Sequence, residues 1–197
     1  MQIRPYQPSD ADALYDICLR TGAGGADATD LYRDPRLLGE LYVGPYVRFA
    51  PTLAFVVDGD LGVSGYVLGA LDTTSFDQEC ERSWWPELRR RYPEGTFPAG
   101  SPDARLVGLI HRPPKPTPAV VAEFPSHLHI DLLPRTQGRG LGRLLMQRLF
   151  DALRSAGSPG VHLGVGTANV RAIGFYARLG FDVVVRHPEH LVMAMHL

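Results

Sequence analysis

Cysteine is scarce: Cys18 and Cys80 are the chain's two, so no disulfide framework can define the fold. Net charge is nearly absent as well. Twenty basic residues against 21 acidic ones leave −1 with histidines neutral, so no global basic field draws the chain to nucleic acid or an anionic membrane. No uninterrupted apolar run is long enough to span a bilayer, and the opening MQIRPYQPSD lacks the apolar core of a signal peptide. No internal repeat is found. The expectation is a soluble, cytoplasmic protein with neither nucleic-acid nor membrane partners. Apolar residues, by contrast, are plentiful at 45 %, enough for a packed core. The 197 residues fit one domain spanning 1–197.

Patterning along the chain predicts a mixed α/β sheet. Ile3–Arg4 with Pro5 reads as a first strand. Ser9 is the expected N-cap of a helix carrying Leu14, Ile17 and Cys18, with Gly22 as its C′ glycine. Residues 22–30 read as a flexible loop, and a second helix near 37–42 is expected to stop at Gly44-Pro45. LAFVVD (53–58) and VSGYVLGAL (63–71) form a hairpin pattern around Asp58-Gly59-Asp60. Nine prolines fall between Pro86 and Pro125, and 76–125 reads as a Pro-rich ordered insertion over the core. Its one expected helix is SPDARLVGLIHR, with Ser101 as cap and Pro102 at the first helical position. SHLHIDLL (126–133) and VHLGVG (161–166) are strands flanking a helix on Leu141–Ala152. ANVRAIGFYARLG is a short helix ending at Gly180, and FDVVVR and LVMAMHL are the closing strands.

The most informative stretch is IDLLPRTQGRGLGRLL (130–145). An apolar strand ends, three alternate glycines follow, and a helix begins at once. Unpaired N–H groups at a helix N-terminus, with the positive end of the dipole, bind phosphate. Bare backbone at Gly138, Gly140 and Gly142 lets a pyrophosphate approach. The dinucleotide fingerprint needs G-x-G-x-x-G and an acid after the next strand; here the spacing is G-x-G-x-G and VHLGVG ends without one. The ATP-binding loop needs Lys-Ser or Lys-Thr after its last glycine, whereas Arg143-Leu144 follow Gly142.

Gln137-Gly138-Arg139-Gly140-Leu141-Gly142 resembles the Q/R-x-x-G-x-G/A loop of the GNAT acetyltransferase superfamily. Asn169, Ala172 and the run Phe175-Tyr176-Ala177-Arg178-Leu179-Gly180-Phe181 resemble its second signature, and IRPYQPSDADALYDIC its N-terminus. GYVLGALDTTSF, ERSWWPELRRRYP and FPSHLHIDL are similar to the acetyltransferase-like C-terminal domain family of O-GlcNAc hydrolases. That family has a degraded cofactor loop, and this chain departs from it in keeping an intact one. The resemblance implies a GNAT fold: a mixed, mostly antiparallel sheet flanked by helices, with a splayed strand pair at the acetyl-CoA site. It implies N-acetyl transfer from acetyl-CoA to a primary amine, a small molecule or a peptide lysine. A catalytically weak or inactive acetyl-CoA-binding or protein-recognition module is the alternative. Monomer and homodimer both remain open.

By the same resemblance, the cofactor is held by backbone of Ile130, Leu132 and Leu133, by the 137–142 loop including Leu141, and by Arg139, Arg143, Asn169 and Tyr176. Tyr176 stands where many members carry a general acid for the departing thiolate. On an ideal strand His127, His129 and Asp131 share one face. A polar face on a central strand borders a cavity or water, which makes Asp131 the first candidate for general base and His129 the second; a structural role for Asp131 is the alternative. Asp72, Trp84, Trp85, Glu123 and His127, with the 22–46 region, are candidate acceptor-wall residues, since aromatic faces beside carboxylates suit a cationic amine. The bland alternative is that the tryptophans pack the insertion. His127-x-His129-x-Asp131 also resembles zinc-ligand spacing, but the residues alternate with leucine and isoleucine as in a strand, and no metal is expected. Neither cysteine lies in a nucleophile context, so transfer is expected to be direct within a ternary complex.

Overall fold

The computed structural model of the chain describes residues 1–197. Seven strands form one sheet: β1 (Gln2–Pro5), β2 (Ala54–Asp58), β3 (Gly65–Ala70), β4 (Ser126–Leu132), β5 (Gly160–Gly166), β6 (Asp182–Arg186) and β7 (His190–His196). Their spatial order is β1-β2-β3-β4-β5-β7-β6, with β4 and β5 parallel and every other neighbouring pair antiparallel. The helices are α1 (Ala11–Thr21), α2 (Leu37–Tyr42), α3 (Gly44–Phe49), α4 (Thr73–Ser83), α5 (Trp85–Arg91), α6 (Pro102–His111), α7 (Pro118–Glu123), α8 (Leu141–Ser155) and α9 (Val170–Arg178). The mixed, mostly antiparallel sheet predicted from the chain is observed.

Side-chain alternation gives the sheet two cores. Tyr66, Leu68 and Ala70 of β3 pack with Leu14 and Ile17 of α1 and with Leu106 and Ile110 of α6. On the other face Val67 packs with Leu145, Leu149 and Leu153 of α8, which recur every fourth residue along one helix stripe. Covered on both sides, β3 is buried along its whole length.

Several local expectations are corrected. The 76–125 segment holds most of a four-helix group, α4–α7, rather than one helical island. Pro86, Pro102 and Pro118 each lie in the first turn of a helix, where the missing N–H costs no hydrogen bond. Gly44-Pro45 opens α3 instead of ending a helix. Ser9 does not cap α1: Pro8–Asp10 form a 3₁₀ turn, and Asp10 accepts from Gln7 N at 2.8 Å while pairing with Arg4. Gly22 has φ −69°, so it is no left-handed C′ residue; a Cβ there would lie 2.6 Å from Leu38 Cδ1.

The helical group is stitched to α2 and the segment before it by partly buried polar contacts. Asp103, 1 % exposed, accepts from Arg33 N at 3.0 Å and Asp34 N at 3.2 Å. Tyr92 Oη donates to Asp34 at 2.7 Å, Trp84 Nε1 to the Glu40 carbonyl at 2.9 Å, and Arg91 pairs with the buried Glu40 carboxylate. Buried carboxylates persist when such donors compensate their lost hydration.

β4 and β5 meet only at Ser126↔Val161 and His127↔His162, then diverge. This is the expected splayed pair. The two imidazoles flank the meeting point, 5.9 Å apart. His162 Nδ1 donates to Phe124 O at 2.7 Å. Thr73 Oγ1 spends its proton on Pro125 O, so His127 Nδ1 donates to Thr73 Oγ1 at 2.8 Å. Burial, then the neighbouring His162, pushes His127 down to about 3, and burial lowers His162 as well. Both rings are neutral in the fold and take up protons on unfolding below their ordinary value. Their contribution to stability is therefore fully present above about pH 6.5 and is lost as pH falls from there toward 3. Urea denaturation is expected to show about 2 kcal/mol less stability at pH 5 than at pH 7.5 from His127 alone. Because Asp131 pushes His129 up to about 10, that ring contributes with the opposite sign over this range, so the check compares the wild type with His127→Gln: the same pH dependence in both contradicts the assignment.

Candidate functional site

Leu133 N donates to Ser64 O at 2.9 Å, which sets the phase of the β3–β4 ladder. The register is continuous from Gly65↔Leu132 to Ala70↔His127, with no bulge. Alternation in an antiparallel ladder then turns the main-chain groups of Asp131, His129 and His127 toward β3, and those of Leu132, Ile130 and Leu128 toward β5. Because β5 has already diverged, Ile130 and Leu132 present an open strand edge. Leu132 O is partly used, accepting from Gln137 Nε2 at 2.7 Å. Leu133, grouped with them from the sequence, has its N–H committed to β3 and is 2 % exposed.

The chain leaves β4 through a 3₁₀ turn at Pro134–Thr136 and enters α8 through Gly138 (φ 74°) and Gly140 (φ 75°). Left-handed φ is costly for a residue with a Cβ, which explains these two glycines. Gly140 is the residue before the first helical turn, so the N–H groups of Leu141, Gly142 and Arg143 have no acceptor within the helix.

A cleft of about 680 Å³ opens between the β4 edge, this loop and α9. Of the candidates for cofactor contact, Ile130, Leu132, Gln137, Gly138, Gly140, Gly142, Arg143, Asn169 and Tyr176 line it. Leu133, Arg139 and Leu141 do not. Arg139 is exposed on the loop, and the Leu141 side chain packs into the α8 core. Asn169 caps α9, accepting from Ala172 N at 3.0 Å. Arg171 and Arg178 also line the cleft and were missed from the sequence. Their i, i+7 spacing, with Phe175 between, puts them on one helix face, and that periodicity was the available signal. Free helix N–H groups, three arginines and an open strand edge together fit an extended ligand with a diphosphate, as acetyl-CoA is.

Asp131 and Tyr176 both line the cleft. Asp131 Oδ2 accepts from Tyr66 Oη at 2.6 Å and from His129 Nε2 at 2.9 Å. The His129 ring is stacked on Tyr42, centroids 5.5 Å apart. Burial opposes charge on His129, but the Asp131 carboxylate outweighs it and the imidazole is pushed up to about 10. Burial, then Asp131, holds Tyr66 and Tyr176 well above the ordinary tyrosine value, so both phenols keep their protons. Cys18 of α1 completes the group: its sulfur, a ring nitrogen of His129 and a carboxylate oxygen of Asp131 lie within 4.8 Å of one another.

Asp72, Trp84, Trp85, Glu123 and His127 do not line this cleft. Asp72 caps α4, accepting from Ser75 N at 2.7 Å. Trp84 and Trp85 pack the helical group against the α1–α3 layer. Glu123 faces His196 at 3.3 Å, and His127 is held by Thr73 between Tyr46 and Phe76. From the 22–46 region only Gly24, Gly25 and Ala26 reach the cleft, beside Thr21.

Residues 67–181 match the acetyltransferase (GNAT) family. The chain is similar to protein O-GlcNAcase of Rattus norvegicus, 28 % identical over 180 residues that cover 90 % of this chain and 20 % of that protein. It thus spans about one fifth of the length of that relative and of the Mus musculus O-GlcNAcase, 20 % in each. It is also similar to the [ribosomal protein bS18]-alanine N-acetyltransferase of Salmonella typhimurium, 38 % identical over 86 residues, 39 % of this chain and 58 % of that protein. Among solved structures, SsHAT superposes with a TM-score of 0.91 and 42 % identity, covering 99 % of this chain and 97 % of that one.

Proposed function

The chain belongs to the acetyltransferase (GNAT) family, and from that premise we propose that it transfers the acetyl group of acetyl-CoA to a primary amine by direct attack within a ternary complex. The observation that carries this reading is one cleft containing an open β4 edge, a bare helix N-terminus, a carboxylate and a protonated phenol. Acetyl-CoA, when bound, supplies an activated thioester whose C–S bond breaks as the C–N bond forms.

The N–H groups of Leu141–Arg143, with Arg143, Arg171 and Arg178, hold the phosphates. Main-chain groups of Ile130 and Leu132 pair with the extended arm, and an N–H of this edge stabilises negative charge on the carbonyl oxygen. Asp131 takes the proton that the acceptor ammonium must lose before it attacks. His129 acts here as a positioning residue rather than a second base: a carboxylate only accepts, so Nε2 carries the hydrogen in their bond. Tyr176 gives its proton to the departing sulfur. Cys18, 2 % exposed and outside the cleft lining, is not placed to carry an acyl group, which supports direct transfer.

A thiol-release assay over a panel of amines and peptides, paired with calorimetry for acetyl-CoA, tests the reading. Turnover with at least one acceptor supports it. Binding of acetyl-CoA without turnover on any of them favours the cofactor-binding module instead. Tyr176→Phe is expected to lower kcat on the order of tenfold, below the usual range for acid catalysis, because a thiolate leaves readily and water can protonate it later. KM for acetyl-CoA and the thermal midpoint are expected to hold.

A further inference from the structure

We propose that Cys18, His129 and Asp131 form a binding site for a thiolate-seeking divalent cation, zinc in the first instance. Once the metal displaces the proton that His129 shares with Asp131 and that of the Cys18 thiol, the three side chains offer a sulfur, an imidazole nitrogen and a carboxylate oxygen, the three ligand types that zinc takes in proteins. They come from two rigid elements packed against each other. His129 and Asp131 sit two residues apart on one face of β4, and Cys18 projects from α1 above them. The ligand atoms already lie within 4.8 Å of one another. Tetrahedral zinc with bonds of about 2.0–2.3 Å needs ligand atoms roughly 3.3–3.6 Å apart, so rotamer adjustments of about an ångström suffice.

The surroundings fit a metal centre in two further respects. Tyr66 Oη donates to Asp131 at 2.6 Å, the outer hydrogen bond that fixes a ligating carboxylate. Asp131 alone of the three lines the cleft, so a cation reaches the site from the carboxylate side, where water can supply a fourth ligand. The sequence pattern His127-x-His129-x-Asp131 pointed to a different set. His127 is turned to Thr73, and the third ligand is a cysteine from a distant helix. A cation here would occupy the lone pairs of Asp131 and so inhibit acetyl transfer. That consequence alone rests on the reading of Asp131 as base.

Metal binding can be read without acetyl-CoA or acceptor, so it stands or falls independently of turnover. EDTA-treated protein is titrated with Co(II), following the near-ultraviolet thiolate-to-cobalt band, and Zn(II) affinity is measured by competition with a chromogenic chelator. One Co(II) per chain with a thiolate band, displaced by Zn(II), is expected, and Cys80→Ala retains it. Cys18→Ala abolishes the band and weakens Zn(II) at least tenfold, with Cys18→Ser as the substitute should the alanine variant fold poorly. Tyr66→Phe weakens Zn(II) about tenfold, as loss of an outer-shell partner does. A wild-type protein without the band, a band that survives Cys18→Ala, or one abolished by Cys80→Ala overturns the proposal.

Discussion

Asp131→Asn is expected to lower kcat for acetyl transfer at least a hundredfold while leaving the Kd for acetyl-CoA within about threefold, the lower end of what a general base contributes. Asparagine keeps the shape of the side chain and an oxygen to accept from Tyr66 Oη and His129 Nε2, the two bonds that hold the carboxylate in place. It cannot take a proton from an ammonium ion. The fall should shrink as pH rises and more acceptor is already free amine, a trend that loss of a purely structural group does not produce. Rate–pH profiles and thermal melts on the same preparations check this. A large drop in the melting midpoint with an unchanged pH profile would assign Asp131 to structure.

Gly140→Val is expected to weaken acetyl-CoA about a hundredfold or more in calorimetry. Gly140 has φ 75°, a conformation that costs a β-branched residue about 1–2 kcal/mol. Relief of that strain rotates the backbone just where the free N–H groups of α8 begin. Loss of one or two charge-assisted hydrogen bonds adds roughly 1.5–3 kcal/mol each. Gly142→Ala is the contrast. A Cβ there would lie 3.4 Å from Phe175 Cζ and 3.7 Å from Leu132 Cδ1, ordinary contacts, so its effect on stability should be small. Equal affinity in Gly140→Val and the wild type would remove the loop from the cofactor site.

The parts of this architecture legible in the sequence are those fixed by short-range rules. Alternation over His127–Leu132 placed Asp131 opposite the leucines, and it holds because no bulge interrupts the β3–β4 register. Glycines at 138 and 140 announced a backbone turn that side chains disfavour. Pro102 was legible as a helix start, but elsewhere in 76–125 proline was read as interruption, although Pro86 and Pro118 also start helices. Trp84 and Trp85 stayed ambiguous for a related reason: aromatic rings beside acids suit a cation-binding wall and interhelical packing equally well, and in the structure Trp84 Nε1 is spent on the Glu40 carbonyl. Cys18 was beyond reach altogether. Nothing in DICLR says that the helix will lay its sulfur beside a strand more than a hundred residues later, because that contact exists only once α1 covers β4.

Two rungs, Ser126↔Val161 and His127↔His162, are the whole strand pairing between a four-stranded leaf, β1–β4, and a three-stranded one, β5–β7. Beyond them the leaves share one apolar cluster of side chains, with no ladder between them. Mechanically this is a seam, and partial opening follows the line of fewest bonds. A molecule laid along the open β4 edge is therefore expected to rivet that seam, which slower amide exchange in β4 and β5 on adding acetyl-CoA would register.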